Sequence, residues 1–325
     1  MIVPQYWAEA RLQGLKSNHQ VTVRRFGWSD SSQSDAQAMA DARAQESLRR
    51  LLLGEQLPRR EPKVPYNGSQ GVPIREEIIS RHGETVVTRN SYGAHCLNTP
   101  NVLFVDIDLV PPPKISLPEV AIGLLALLLV LLSLLRHSIA LLVVLGAVVL
   151  FTAWYLVPLV RRWRQTKLGG PEGIARARIG AFVKSHPDWH LRLYLTPAGL
   201  RVLAMHRPFD PTEKAVTECF QQLGADPIYV RMCLNQHCFR ARVSPKPWRI
   251  GIEQHIRPQP GVWPVAPERL PLRSKWVDRY EALASEFASC RFIEAVGSST
   301  THPTTLAVQQ LHDDLCQAQT ELPIA

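Results

Sequence analysis

The pattern of hydrophobic and polar positions divides this chain into a continuous apolar block and two patterned polar regions. Residues 117 to 160 are almost entirely apolar, with an interruption at residues 136 to 138. A helix of about 20 apolar residues crosses a bilayer, so the block predicts two transmembrane helices, at 117 to 135 and 139 to 160. A buried helix of a globular protein normally keeps a polar stripe, which residues 120 to 135 lack. The sequence therefore predicts a transmembrane helical hairpin.

Basic residues flank this block on both sides. Lys114 precedes the first apolar stretch, and Arg161, Arg162, Arg164 and Lys167 follow the second. Loops rich in lysine and arginine tend to stay on the cytoplasmic side. The flanks therefore predict a two-span protein of the bacterial inner membrane, with the lipid bilayer as a partner and both chain termini in the cytoplasm.

In the polar regions, some segments have the residue pattern typical of strands, and others have apolar residues at the spacing typical of helices. Strands are predicted at 20 to 26, 85 to 89, 101 to 110, 190 to 195, 200 to 206, 239 to 243 and 248 to 252. Helices are predicted at 34 to 53, 74 to 80, 173 to 184, 212 to 223, 274 to 290 and 306 to 318. Hairpins interspersed with helices indicate an α+β fold, here one mixed or antiparallel cytoplasmic sheet with packing helices, interrupted by the transmembrane hairpin.

The apolar block lies inside the predicted α+β domain. Residues 1 to 113 form its N-terminal half and residues 168 to 255 its second half. Residues 256 to 325 are predicted to contribute a proline-rich wrap followed by the C-terminal helices. The hairpin at 117 to 160 is then an insertion into one domain.

Composition adds a charge preference and excludes several enzyme classes. The chain has 325 residues and a formal net charge of +9, with an isoelectric point near 9.5 and a mean hydropathy of -0.07. A basic protein favours anionic partners, which include nucleotides, nucleic acid and anionic lipid. The sequence contains no Walker phosphate loop, dinucleotide-binding glycine signature, zinc-protease helix motif or serine-nucleophile elbow. Its six cysteines are predicted to be free thiols.

Cys233, His237 and Cys238 form a short thiol and imidazole group. The two cysteines are further apart than in compact zinc knuckles, and no second pair follows at the usual distance, although His255 is within reach. Zinc is therefore judged unlikely here, and the alternative is that both cysteines pack in a half-buried strand.

The clearest chemical signal is an acid pair on the strand at 101 to 110. Side chains alternate along a strand, so Asp106 and Asp108 project from one face about 7 Å apart. Two carboxylates this close repel unless a cation lies between them, and Mg²⁺ or Mn²⁺ prefers such oxygen ligands. The alternative is a strand end at which the carboxylates are solvated or paired with arginines.

A second signal is a run of cations around a rigid turn. The residues concerned are Arg240, Arg242, Lys246, Trp248 and Arg249. Such a surface suits phosphate groups, and Trp248 could stack on a base of a single strand. The alternatives are a solvated edge strand and a basic face against anionic lipid.

The acid-bearing strand, the later helix and the hairpin with a glycine turn resemble the catalytic core of the archaeo-eukaryotic primase superfamily. The resemblance implies that Asp106 and Asp108 bind catalytic metal. Residues 196 to 201 resemble the second motif of that family. Arg201 stands at the position where that motif has a phosphate-contacting histidine. Ile252 and Glu253 correspond to the third motif, an apolar residue followed by an acid.

Residues 238 to 249 are also similar to a segment of uncharacterised bacterial transmembrane proteins, a similarity that implies no activity. Two hypotheses follow from the sequence. The first is a membrane-tethered α+β module that binds nucleotide or nucleic acid. The second is an enzyme for metal-dependent nucleotidyl or phosphoryl transfer, whose predicted catalytic residues are Asp106, Asp108, Arg201 and Glu253.

Overall fold

The computed structural model describes residues 3–16, 19–61, 72–109, 169–259, 261 and 263–325. The described residues form an α+β structure with three β-sheets and six α-helices. Contacts divide the chain into a first unit, residues 1–107 with 182–325, and a second unit, residues 108–181. The strands belong to the first unit except for Asp108, the last residue of the strand Phe104–Asp108, and the helix at Gly170–Ser185 lies mainly in the second unit.

The strands, in chain order, are β1 Tyr6–Lys16, β2 His19–Ser29, β3 Glu77–His82, β4 Thr85–Arg89, β5 His95–Thr99, β6 Phe104–Asp108, β7 His190–Thr196, β8 Gly199–Ala204, β9 Phe239–Arg242 and β10 Arg291–Gly297. The α-helices are α1 Gln33–Leu52, α2 Gly170–Ser185, α3 Lys214–Leu223, α4 Pro227–Gln236, α5 Leu270–Ala284 and α6 Pro303–Cys316. Short 3-10 turns occur at Pro247–Arg249 and Pro267–Arg269.

The N-terminal hairpin of β1 and β2 packs against α1. The hydroxyl of Ser32 accepts a hydrogen bond from the Asp35 amide at 3.1 Å and so caps the start of the helix. Alanines at every fourth position of α1 are buried against alanines of β1. Small side chains allow the helix and hairpin to approach closely, and at Gly27 an added Cβ would lie 2.1 Å from the Ala36 carbonyl oxygen.

Two four-stranded sheets contain strands from both sides of the central block. Their orders are β3-β4-β5-β9 and β10-β7-β8-β6. In the first sheet β9 pairs with β5 in an antiparallel register that places Arg242 opposite Cys96 and Phe239 opposite Thr99. In the second sheet β8 lies between β6 and β7. Strands from before and after the apolar block therefore pair with each other in both sheets, β5 with β9 and β6 with β8.

Several predicted elements are confirmed and others are wrong. The strand at 85 to 89 has the predicted bounds, and α1 differs from its prediction by one residue at each end. The helix predicted at 74 to 80 is wrong, since residues 77–80 lie in β3. The strand predicted at 248 to 252 is also wrong. The single-sheet prediction is replaced by three sheets, because the β1–β2 hairpin packs on α1 and the other strands divide between two four-stranded sheets.

The membrane prediction must be corrected. No helix among the described residues is both long enough and apolar enough to cross a membrane. The longest helix for which bounds are given, α1, has 20 residues but carries acidic and basic side chains along its length, and such charges are costly in a bilayer. The hairpin predicted at 117 to 160 lies outside the described residues. The fold interrupted by two membrane spans, with its inner-membrane location and cytoplasmic termini, therefore has no support in the structure.

Candidate functional site

The segment after β9 forms a fixed turn, here called the basic turn and defined as residues 244–250. Ser244 Oγ accepts a hydrogen bond of 2.7 Å from the His95 amide. The carbonyl of Pro245 accepts one of 2.7 Å from the Tyr280 hydroxyl. The Pro247 carbonyl closes the turn by accepting from the Ile252 amide at 2.9 Å. The prolines limit the backbone, so the turn is conformationally restricted.

An apolar cluster lies beneath the basic turn. Ile250 and Ile252 are buried with Trp276 and Tyr280 of α5. The rings of Trp276 and Tyr280 stack with centroids 5.4 Å apart and an interplanar angle of 9°. Trp276 and Tyr280 are thus core residues, and they support the turn from below.

Trp248 projects from this supported turn with 52% of its surface exposed. Its ring lies 5.3 Å from that of Tyr92, tilted by 58°, and the Lys246 ammonium lies 5.4 Å from the Trp248 centroid. We call Tyr92 and Trp248 the aromatic pair. Tyr92 is itself positioned by Asn90, whose side-chain oxygen accepts hydrogen bonds from the amides of Tyr92 and Gly93 at 3.1 and 3.0 Å. Two rings and a cation are therefore held together at the surface.

The two arginines of β9 differ in their exposure. Arg240 is buried and donates to both carboxylate oxygens of Glu76, at 2.8 and 2.7 Å, and to Asn98 at 2.8 Å. Burial by itself lowers the pKa of Arg240, but neighbouring charges, including that of Glu76, outweigh burial and raise it. Arg242 is half-buried, and its carbonyl accepts a hydrogen bond from Arg201. The predicted five-residue phosphate set thus separates into a buried part and the basic turn.

Asp106 and Arg201 are brought together as an ion pair between a buried guanidinium and a partly exposed carboxylate. Arg201 Nε donates to Asp106 Oδ1 at 2.8 Å, and Nη2 donates to Oδ2 at 3.2 Å. Side-chain exposure is 3% for Arg201 and 31% for Asp106. Burial lowers the pKa of Arg201 and Asp106 raises it, with a raised pKa as the net result. The guanidinium is therefore charged and directed at the carboxylate, not at solvent.

The Asp106–Arg201 ion pair affects the catalytic roles predicted from the sequence. A guanidinium binds both oxygens of Asp106, which is the arginine-paired alternative left open by the sequence. Asp108, which belongs to the second unit, is exposed at the end of β6, and Glu253 is exposed after Ile252. The role of Mg²⁺ or Mn²⁺ stays a prediction, and a metal ion would have to share the Asp106 carboxylate with Arg201 or displace it.

The cysteines near residue 235 lie in a different local structure from the one expected. Cys233 is in α4, not in a strand, and His237 ends that helix in a left-handed conformation with φ 50°. Cys233 and Cys238 are buried, and burial raises the pKa of Cys238 to about 12. His237 is exposed, so the three side chains do not share one environment.

A different group of thiols and imidazole was missed by the sequence analysis. Cys290, His312 and Cys316 are all buried, and one potential ligand atom from each lies within 4.8 Å of the others. The available signal was the spacing of four between His312 and Cys316, which places both on one face of a helix. Cys290 comes from a different segment, just before β10, so the spacing alone identifies only two of the three.

A cleft of about 500 Å³ lies along α1 and also has basic residues in its wall. Its guanidinium groups are already engaged: Arg43 with Glu61 at 2.6 Å, and Arg50 with Glu55 at 2.7 Å. Arg25 donates to the carbonyls of the segment that precedes Glu61. Fewer positive charges are therefore available to an anion in this cleft than the number of arginines in its wall indicates.

Comparisons of the chain with protein-family models, with curated proteins and with solved structures returned no match.

Proposed function

We propose that this protein binds single-stranded nucleic acid, with the aromatic pair as the base-stacking surface and the basic turn as the phosphate-binding element. The observation that carries the proposal is Trp248, half exposed on a turn that the rest of the fold holds in place. Bases stack on aromatic rings regardless of their identity, and basic grooves follow the strand backbone.

The arrangement of the turn supports binding by stacking. Trp248 combines a large apolar surface with exposure to water, so covering it with a base gains free energy. Its neighbours Lys246 and Arg249 place positive charge within the same turn. Because Ser244 and Pro245 fix this turn through hydrogen bonds, little conformational entropy is lost when a strand binds.

The overall charge of +9 supports the same ligand class. A basic protein attracts polyanions at long range, and each phosphate contact releases counterions. The open position of Trp248 suits a strand, in which one base can stack while the adjacent phosphates reach the cations.

Replacing Trp248 by alanine is expected to weaken binding of a labelled oligothymidine about 5- to 150-fold. This range corresponds to the roughly 1–3 kcal/mol that one stacked base contributes. Fluorescence anisotropy with an oligomer of about 12 nucleotides, which covers one typical binding site, measures the effect. Trp248→Phe should retain most of the affinity, since it keeps an aromatic face.

Ile228→Ala is the matched control, because Ile228 is another exposed apolar side chain, 64% accessible, outside the basic turn. It should bind like the wild type. Equal affinity of Trp248→Ala and wild type would remove the proposal. If a mononucleotide at the same base concentration competed fully, the ligand would be identified as a nucleotide and not as a strand.

A further inference from the structure

The thiol and imidazole group at the C-terminal end of the chain has the dimensions of a metal site. Cys290 Sγ lies 3.9 Å from His312 Nε2, and the potential ligand atoms of Cys290, His312 and Cys316 all lie within 4.8 Å of one another. Tetrahedral zinc, with Zn–S near 2.3 Å and Zn–N near 2.0 Å, places its sulfur and nitrogen ligands roughly 3.6–3.8 Å apart. Small side-chain adjustments would therefore bring the three ligands around one ion.

The histidine is oriented as a zinc ligand normally is. His312 Nδ1 lies 3.0 Å from Asp313 Oδ1, and this contact favours a proton on Nδ1. The lone pair of Nε2 is then directed toward the cysteines. Metal-binding histidines commonly donate their other ring N–H to a carboxylate in this way, which fixes the tautomer and the ring plane.

The carboxylate of Asp313 is in turn held by its other oxygen. Asp313 Oδ2 accepts from Arg192 at 3.1 Å and from Gln309 at 2.6 Å, and Gln319 Nε2 lies 3.3 Å away. Phe104 and Tyr194 pack against the imidazole, with ring centroids 5.2 and 4.8 Å from it. His312 is consequently fixed both through its partner and through its ring faces, as expected of a preorganised ligand.

The electrostatic surroundings are compatible with a dication bound by two thiolates. Two thiolates and one Zn²⁺ sum to zero charge, which limits the cost of burial. Arg201 Nη1 lies 3.3 Å from His312 Nε2, where the ion would be expected. If Arg201 gave up this long contact with His312 to make room for the ion, it would keep both hydrogen bonds to Asp106 and one to the Arg242 carbonyl.

We propose that Cys290, His312 and Cys316 bind a structural Zn²⁺ ion. Structural zinc usually has four protein ligands, so a water molecule would complete the tetrahedron around these three. Full burial of all three residues argues against a catalytic ion, since a substrate would have no access. Burial also disfavours a thiol–disulfide switch between the two cysteines, because exchange requires a reagent to reach the sulfur.

The ion would join two segments that the backbone already brings together. The Ser289 amide donates to the Cys316 carbonyl at 2.9 Å, and the Phe292 amide donates to the Ala318 carbonyl at 2.9 Å. These bonds align the start of β10 with the end of α6. Zinc between Cys290 and Cys316 would fix the same junction and stabilise the folded state by mass action.

Purified full-length protein should contain about one zinc ion per chain, as measured by elemental mass spectrometry, since one site is proposed. The double variant Cys290→Ala, Cys316→Ala should contain almost none. Cys219→Ala is the matched control, because Cys219 is an equally buried thiol in α3 outside the group, and it should keep its zinc.

Two further measurements retain a clear outcome if the double variant fails to fold. Cobalt added to metal-depleted wild type should give the charge-transfer absorption of thiolate-bound cobalt, and chelation should lower the unfolding midpoint until zinc is restored. Wild type that holds neither zinc nor cobalt, or a double variant that keeps its zinc, would overturn the proposal. Isolation of a Cys290–Cys316 disulfide from native protein would overturn it in favour of a redox pair. All of these assays exclude nucleic acid, so they are independent of the function proposed above.

Discussion

Replacing Glu76 by alanine is expected to lower the free energy of unfolding by about 3–5 kcal/mol, the typical cost of leaving a buried charge without its partner. The Glu76 side chain is 1% exposed and that of Arg240 is 7% exposed. Arg240 is not neutralised by losing a proton, because an arginine stays charged in proteins. The variant also removes the acceptor for Thr88 Oγ1, which donates to Glu76 at 2.6 Å. Urea denaturation measures the effect.

The double variant Glu76→Leu, Arg240→Met is the informative control. It removes both charges and fills the space with apolar groups, a change that is often neutral or stabilising when an ion pair is buried. We expect it to recover most of the stability lost in Glu76→Ala. A single variant with wild-type stability would show that Arg240 can reach water, which would reopen its assignment to a phosphate-binding surface.

Replacing Asp106 by alanine is expected to cost about 3 kcal/mol, at the lower end of the range for buried pairs because Asp106 is partly exposed. Arg201 would keep a carbonyl acceptor but lose two charged hydrogen bonds. The effect should persist in the presence of a metal chelator, since the stabilising cation is part of the protein.

The chelator distinguishes the ion pair from a metal-binding acid pair. If Asp106 and Asp108 served mainly to hold a metal ion, removing one carboxylate from metal-free protein would relieve repulsion and would not destabilise it. Asp108→Ala is the matched control, an exposed acid two residues away on β6, and should change stability by no more than about 1 kcal/mol. An Asp106→Ala variant as stable as wild type in chelator would contradict the ion-pair interpretation.

Local patterns were sufficient for many elements of the first unit. Residues 85–89 are rich in β-branched residues, which favour strands, and α1 has a serine cap before its first turn. The strand predicted at 248 to 252 failed because Pro245 and Pro247 favour a turn whose closing hydrogen bonds are local. The helix predicted at 74 to 80 failed because pairing with β4, not intrinsic preference, determines the structure of β3.

The candidate sites depend more than the local elements do on contacts between residues that are far apart in the sequence. Arg240 and Arg242 are identical in type and adjacent on one strand face, yet Arg240 meets Glu76, which lies 164 positions away in the sequence. Nothing in the local sequence distinguishes these two arginines. Cys290 and His312 are likewise joined by tertiary packing, whereas the basic turn, with its contiguous prolines, cations and tryptophan, was visible directly.

Photochemical cross-linking can show directly whether a single strand binds at the aromatic pair. A short oligonucleotide containing 5-iodouracil is irradiated with the full-length protein, and the modified residue is identified by mass spectrometry. Because halogenated bases cross-link to rings on which they stack, we expect attachment at Trp248 or Tyr92, and loss of the Trp248 product in Trp248→Ala. Attachment confined to residues outside the aromatic pair and the basic turn would contradict binding at this site.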